Sequence, residues 1–206
     1  MQPFVVDPAT YDKSNAANMA LEYIGEFLEE NNIKFPDVIF AQDQAKKPPG
    51  RNPWHDKGWY WKGLVFVNLK KSRVPVKVPG FQWSFTGYKA DLTAPGVLAH
   101  EMGHHVHFEL ERTFGTFGRA ALLERLLKVR NNESPVSGYE PNVYETFAES
   151  TRLFILNPNL LRVGRPERFR MLIDVGLHPP HDRPWDEVLV NAHPKLISAA
   201  KSWIER

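Results

Sequence analysis

The spacing of apolar and polar positions predicts that the first half of the chain contains one helix and several strands. Residues 14–31 place glutamates on one helix face and apolar side chains on the other, namely Ala17, Leu21, Ile24 and Leu28. Residues 35–41 form a short, mostly apolar run that favours a strand. Residues 58–69 and 73–87 are rich in aromatic and β-branched side chains and predict two or three more strands.

From residue 95 onward the pattern becomes helical. Thr93 is a favourable N-cap, and Pro95 suits the first turn of a helix that runs to about Glu111. Further helices are predicted at 116–130, 142–156, 165–175 and 194–205. The order of a helix, then strands, then helices predicts a single α+β domain, with a small mixed or antiparallel sheet in residues 1–94 and a helical half in residues 95–206.

Composition narrows the kinds of site that the chain can carry. Its 206 residues, 42% of them apolar, fit a single folded domain. The absence of cysteine excludes disulfides and thiolate metal sites, so a metal site must use His, Asp or Glu. No basic region followed by an apolar run opens the chain, and no stretch reaches the ~18 apolar residues of a membrane span. We therefore expect a soluble protein without a signal peptide, favour the cytoplasm and expect no membrane partner.

A metal-binding motif lies on the helix that begins near residue 95. Residues 100–104 have the sequence His-Glu-Met-Gly-His. Residues four apart share one helix face, so His100 and His104 can bind one ion. Glu101 lies about 100° around the helix from His100, beside the ion, where a general base can take a proton from water. Apolar Val97, Leu98 and Val106 can seat this helix in a core.

The motif supplies two ligands, and a catalytic zinc needs a third. The metzincin pattern would require Gly and His further along, but those positions hold His107 and Leu110. His105 points away from the motif face, and His107 lies a full turn beyond His104. We interpret both as exposed histidines or as outer partners of the site.

Two downstream glutamates are better candidates for the third ligand. Glu145 and Glu149 are four apart on a predicted helix and therefore share a face. One can bind zinc while the other accepts a hydrogen bond from a ligating imidazole. In the alternative interpretation they are solvated charges, and Arg152, three residues on, pairs with Glu149.

These motifs together resemble a known group of enzymes. The His-Glu-x-Gly-His motif, a later Ser-x-Tyr at 137–139, Asn142 and Glu-x-Phe-Ala-Glu at 145–149 are similar to the catalytic domain of anthrax lethal factor. They are also similar to related gluzincin-like zinc peptidase domains of bacterial toxins and phage-encoded proteins. The resemblance covers residues 95–156 and implies a zincin-like fold.

The resemblance also implies roles for individual residues. It makes His100, His104 and Glu145 the zinc ligands, Glu101 the catalytic base and Glu149 an outer partner. Tyr139 would match the family tyrosine that faces the substrate carbonyl or the leaving group. Tyr139 is about one residue closer to the ligand glutamate than the family pattern requires, so Tyr144 and Tyr88 remain substitutes.

The expected activity is zinc-dependent hydrolysis of peptide bonds in a peptide or protein substrate. Zincins usually bind substrate as an extended strand beside a sheet edge. The segment 81–87 is our candidate for that edge, and its Trp83 and Phe85 are candidate substrate-binding residues, although an ordinary core strand explains the same pattern.

Two other functions are compatible with the sequence. Residues 45–80 carry nine Lys and Arg against one Asp, interleaved with aromatic residues, which suits single-stranded nucleic acid; aromatic residues packed inward with lysines in solvent fit the same segment. A phage- or toxin-type structural protein with a non-catalytic metal site would keep the motif without the activity. The sequence leaves the oligomeric state open.

Overall fold

An N-terminal helix and a small sheet form one part of the molecule. The computed structural model describes residues 12–41, 57–73 and 91–180. Helix α1 spans Lys13–Glu30, and strands β1, β2 and β3 span Asp37–Ala41, Gly58–Trp61 and Leu64–Asn68. The predicted apolar face of α1 is buried, with Ile24 and Leu28 in the core, whereas its glutamates are exposed.

The sheet is mixed, and β2 forms one edge of its described strands. The strand order is β1-β3-β2, with β1 parallel and β2 antiparallel to β3. The run predicted at 58–69 is thus a hairpin. The two central residues of its turn, Lys62 and Gly63, have positive φ angles of 47° and 85°. A two-residue turn of this kind matches the twist of the strands that it joins.

Four helices form the rest of the described structure. Helix α2 spans Ala94–Asn132, with the Thr93 side chain capping its first turn as predicted. Gly115 breaks α2 at φ 65° and ψ −166°, so the two helices predicted here are two arms of one element. Helices α3, α4 and α5 span Val143–Leu156, Pro158–Gly164 and Pro166–Asp174. The seven-residue α4 was not predicted because it is too short for a periodic pattern.

The core lies where the first arm of α2 packs between the sheet, α1 and α3. Val97, Leu98 and Val106 are buried there as predicted. Phe27 of α1 meets Phe154 of α3 edge to face at 6.3 Å between ring centroids. Because this arm of α2 is covered on most sides, the polar motif residues His100 and Glu101 are buried as well, whereas His104 is partly exposed.

The described elements confirm an α+β architecture with a small mixed sheet and a helical C-terminal half. Residues 74–90, which include Trp83, Phe85 and Tyr88, lie outside the described residues. The helix predicted at 194–205 also lies outside them. No helix among the described residues is long and apolar enough for a bilayer crossing.

Candidate metal centre and cleft

Helices α2 and α3 bring three side chains of the predicted zinc site together. Glu145 Oε2 lies 3.0 Å from His100 Nε2 and 3.4 Å from His104 Nε2. One ligand atom from each of these residues lies within 4.8 Å of the other two. Asn142 starts α3 and accepts hydrogen bonds from the Tyr144 and Glu145 amides, which fixes Glu145 in the first turn.

The spacing of these atoms fits a zinc ion. Ligand atoms at ~2.0 Å from a tetrahedral zinc lie about 3.3 Å from one another. Glu145 Oε2 is buried and accepts no hydrogen bond of normal geometry, although two imidazole nitrogens are this close. Two imidazoles and a carboxylate are also a usual donor set for catalytic zinc. The residues present therefore fit the metal that the sequence predicts.

Glu149 orients one of the imidazoles. His100 Nδ1 lies 2.8 Å from Glu149 Oε1, and both groups are buried. Burial alone would raise the pKa of Glu149, but the Arg152 guanidinium and His100 outweigh it and keep the pKa well below its usual range. The ionised carboxylate makes Nδ1 the protonated nitrogen of His100, which turns Nε2 toward Glu145.

In the absence of metal, His100 and Glu145 form an ion pair. Burial favours the neutral imidazole, but the carboxylates of Glu145 and Glu149 raise the pKa of His100 to about 10. Burial likewise opposes ionisation of Glu145, but the imidazoles of His100 and His104 lower its pKa to about 2. A zinc ion bound here would displace a proton.

Glu101 lies at the side of this cluster, in a cleft of about 380 Å³. A Cβ built on Gly58 would lie 2.8 Å from Glu101 Oε1, so the start of β2 passes directly beside the carboxylate. The walls of the cleft come from β2, α2, the loop after α2 and α3, and its lining residues include Trp59, Tyr60, Phe108, Glu111, Tyr139 and Tyr144. The described lining includes no Lys or Arg.

Both candidate tyrosines in the described part of the chain, Tyr139 and Tyr144, line the cleft. Tyr139 is half exposed, and its ring centroid lies 5.7 Å from that of His100. Tyr144 is also partly exposed but stacks edge to face on His107 at 5.4 Å, further along the cleft. Of these two, Tyr139 is therefore the one whose ring packs directly on a predicted ligand.

His105 and His107 were interpreted as exposed histidines or as outer partners of the site, and the first of these interpretations was wrong. His105 is buried, and its Nε2 donates a hydrogen bond to the Lys34 carbonyl at 2.6 Å, which ties α2 to the segment before β1. His107 is buried against Phe147 and lines the cleft. Burial, reinforced by His104 and Arg119, lowers the pKa of His107 to about 4, so the ring is neutral at pH 7.

Gly103, the fourth residue of the motif, sets the distance between the two helices that carry the predicted ligands. A Cβ built on Gly103 would lie 2.7 Å from Ala148 Cα and 2.8 Å from the Ala148 carbonyl oxygen. These are backbone atoms, which cannot rotate away. Only glycine at this position lets α3 approach closely enough for Glu145 and Glu149 to reach the histidines.

If zinc binds at the predicted site, we expect Gly103→Ala to weaken that binding by about tenfold or more, because the added methyl group pushes α3 and both glutamates outward. Overpacking of this kind also costs about 1–3 kcal/mol of unfolding free energy. Competition with a chromophoric chelator and urea unfolding of the metal-free protein measure the two effects. Gly25→Ala in α1 is the control, since its Cβ would meet only the movable Phe35 ring, at 3.2 Å. Zinc affinity equal to wild type in Gly103→Ala would contradict the close-packing requirement.

Comparison of the chain with protein-family models, with curated proteins and with solved structures finds no match. The function of this chain is therefore inferred from its own residues and their geometry.

Several cleft residues were missed at the sequence level. Phe108 and Glu111 follow His100 and His104 along the same helix face, so the motif spacing alone could have found them. Gly58, Trp59 and Tyr60 carry no such signal, because β2 meets the cleft only through the packing of the sheet on α2.

Proposed function

We propose that this chain is a zinc-dependent peptidase with a zincin-like, gluzincin-type active site. One observation carries the proposal: His100, His104 and Glu145 converge at zinc-ligand spacing, with Glu101 next to His100 on the same helix. The match between the motif and the convergent donors would be a coincidence in a protein without a metal site.

When bound, zinc would lower the pKa of a water molecule toward ~7 and polarise the substrate carbonyl. Glu101 accepts the proton of the attacking water and delivers it to the leaving amine. Tyr139 donates its hydroxyl proton in a hydrogen bond to the carbonyl oxygen as negative charge develops there. Glu149 holds the Nδ1–H of His100, which keeps Nε2 available as the ligand atom.

The cleft supports an extended peptide as the substrate. Residues 58–60 of β2 line the cleft, and among the described strands β2 pairs only with β3. We propose that a substrate strand pairs with the other edge of β2. Aromatic residues from three sides of the cleft, Tyr60, Phe108 and Tyr144, can bind apolar parts of substrate side chains. Trp83 and Phe85 remain candidate substrate-binding residues.

The proposal is tested by measuring bound metal and peptide hydrolysis in the same preparation. We expect one zinc per chain by elemental analysis and cleavage of a quenched-fluorescent peptide mixture. Removal of zinc with 1,10-phenanthroline should stop cleavage, and added zinc should restore it. A folded wild-type protein that takes up no zinc after incubation with the ion would refute the metal site.

Tyr139→Phe should reduce kcat by about a hundredfold to a thousandfold, because removal of one oxyanion donor has an effect of this size. Zinc content should stay at the wild-type level, since the hydroxyl is not a ligand. Tyr144→Phe is the matched control and should retain most of the activity, because its ring lies beside His107. Steady-state kinetics on one peptide compares the two variants, and a larger loss in Tyr144→Phe would transfer the role to Tyr144.

Binding of single-stranded nucleic acid is less well supported by the described part of residues 45–80. Trp59 and Phe66 are buried and stacked on each other at 5.4 Å, so neither ring can stack on a base. Trp61 is exposed, but the Lys62 ammonium lies over its ring at 5.1 Å. The burial of Trp59 and Phe66 fits the interpretation in which aromatic residues pack inward and lysines lie in solvent.

A further inference from the structure

Arg152 of α3 is a buried arginine whose guanidinium binds one carboxylate with two hydrogen bonds. Its Nε donates to Glu149 Oε1 at 3.1 Å, and its NH2 group donates to Glu149 Oε2 at 2.9 Å. Both side chains are almost completely inaccessible to solvent, at 5% and 2% exposure. A bidentate arginine–carboxylate pair fixes the plane and the direction of the carboxylate as well as its charge.

The carboxylate held in this way also binds the predicted ligand. Glu149 Oε1 is shared between Arg152 Nε and His100 Nδ1, which lies 2.8 Å away on the other helix. Buried hydrogen bonds therefore link Arg152 through Glu149 to His100, whose Nε2 atom faces Glu145. From the sequence, pairing with Arg152 and hydrogen bonding to a ligating imidazole were alternative interpretations of Glu149. In the structure Glu149 makes both contacts at once.

A second glutamate–arginine pair with the same spacing in the described residues serves for comparison, because it does not hydrogen-bond a predicted zinc ligand. Glu109 and Arg112 are also three apart on a helix, and Arg112 Nε and NH2 bind Glu109 Oε2 at 3.0 and 2.7 Å. That arginine is 63% exposed, and neither residue lines the cleft. In an ordinary helix-stabilising pair, therefore, the arginine need not be buried and the carboxylate need not bind an imidazole.

We propose that Arg152 is a positioning residue for the zinc ligand His100, which it orients through Glu149. The inference rests on the proposed metal site and extends it by one residue beyond the outer partner. Loss of the guanidinium leaves Glu149 free to rotate, so the imidazole is no longer held with Nε2 toward the ion. Outer partners of metal ligands typically change metal affinity by 10–100-fold.

Zinc affinity of three arginine variants, measured by chelator competition, tests the proposal. We expect Arg152→Met to bind zinc about 10–100-fold more weakly than wild type and Arg152→Lys to fall between them, because an ammonium keeps the charge without the fixed two-pronged geometry. Arg112→Met should bind zinc like wild type. If Arg152→Met does not fold, Arg152→Lys still decides, since wild-type affinity in that variant would overturn the geometric role.

Two further readouts separate positioning from general stabilisation. In the Glu149→Gln background, Arg152→Met should weaken zinc binding no further, because its path to the ligand is already interrupted. In the metal-free protein, the hydrogen-bonded Nδ1–H signal of His100 in ¹⁵N NMR should be present in wild type and lost in Arg152→Met. Additive losses, or an unchanged imidazole signal, would reduce Arg152 to a structural role. Failure of wild type to bind zinc would instead refute the metal site itself.

Discussion

Glu101→Gln is expected to abolish peptide hydrolysis while zinc stays bound. The amide has nearly the shape of the carboxylate but cannot take a proton from water, and loss of a general base lowers kcat by roughly 10²–10⁴-fold. Glu101 is outside the set of convergent ligand atoms, so metal content should remain at one zinc per chain. Peptide turnover and elemental analysis on the same preparation measure both quantities.

Glu109→Gln provides the control for that experiment. Glu109 is a buried glutamate on the same helix, paired with Arg112 and absent from the cleft lining, so its variant should retain wild-type kcat. Turnover retained in Glu101→Gln would refute the role of Glu101 as base, even if zinc is present. Loss of zinc in Glu101→Gln would show that its carboxylate supports the metal as well.

Glu145→Ala is expected to remove zinc from the purified protein. This change deletes one of the three proposed protein ligands, whereas Glu149→Gln alters only the partner of His100 and should weaken binding by about 10–100-fold. Helix α3 should persist in Glu145→Ala, because alanine is a good helix former and Asn142 still caps the helix. Elemental analysis after dialysis and circular dichroism test the two statements.

Comparison of the two glutamate variants assigns the ligand. Equal zinc loss in both, with intact folding, would mean that Glu149 also binds the ion directly. Zinc at the wild-type level in Glu145→Ala would refute the proposed ligand set and with it the gluzincin relationship.

The helices were predictable from the sequence wherever a local pattern determines them. The apolar stripe around Ile24, the cap at Thr93 and the i, i+4 glutamates of α3 each depend on neighbours in sequence. The same spacing rule placed His100 and His104 on one face. The same rule made Glu145 and Glu149 candidates for a third ligand, but the choice of Glu145 came from the resemblance, because spacing within one helix does not show which residue meets another helix.

Features that depend on how elements pack could not be predicted. The contact of Gly103 with the Ala148 backbone arises only when α2 and α3 are docked. The approach of Gly58 to Glu101 likewise depends on where the sheet lies. The burial of His105 and His107 was missed for a related reason, since the sequence does not show that the first arm of α2 is covered on most sides.

The ion pair between His100 and Glu145 has a consequence for the metal-free form of the proposed site. If zinc binds here as proposed, it takes the place of the proton on His100 Nε2, which lies 3.0 Å from Glu145 Oε2. Release of the ion then leaves opposite charges on α2 and α3. We therefore expect the two helices to stay docked when the metal is removed, so that the site can be emptied and refilled without unfolding.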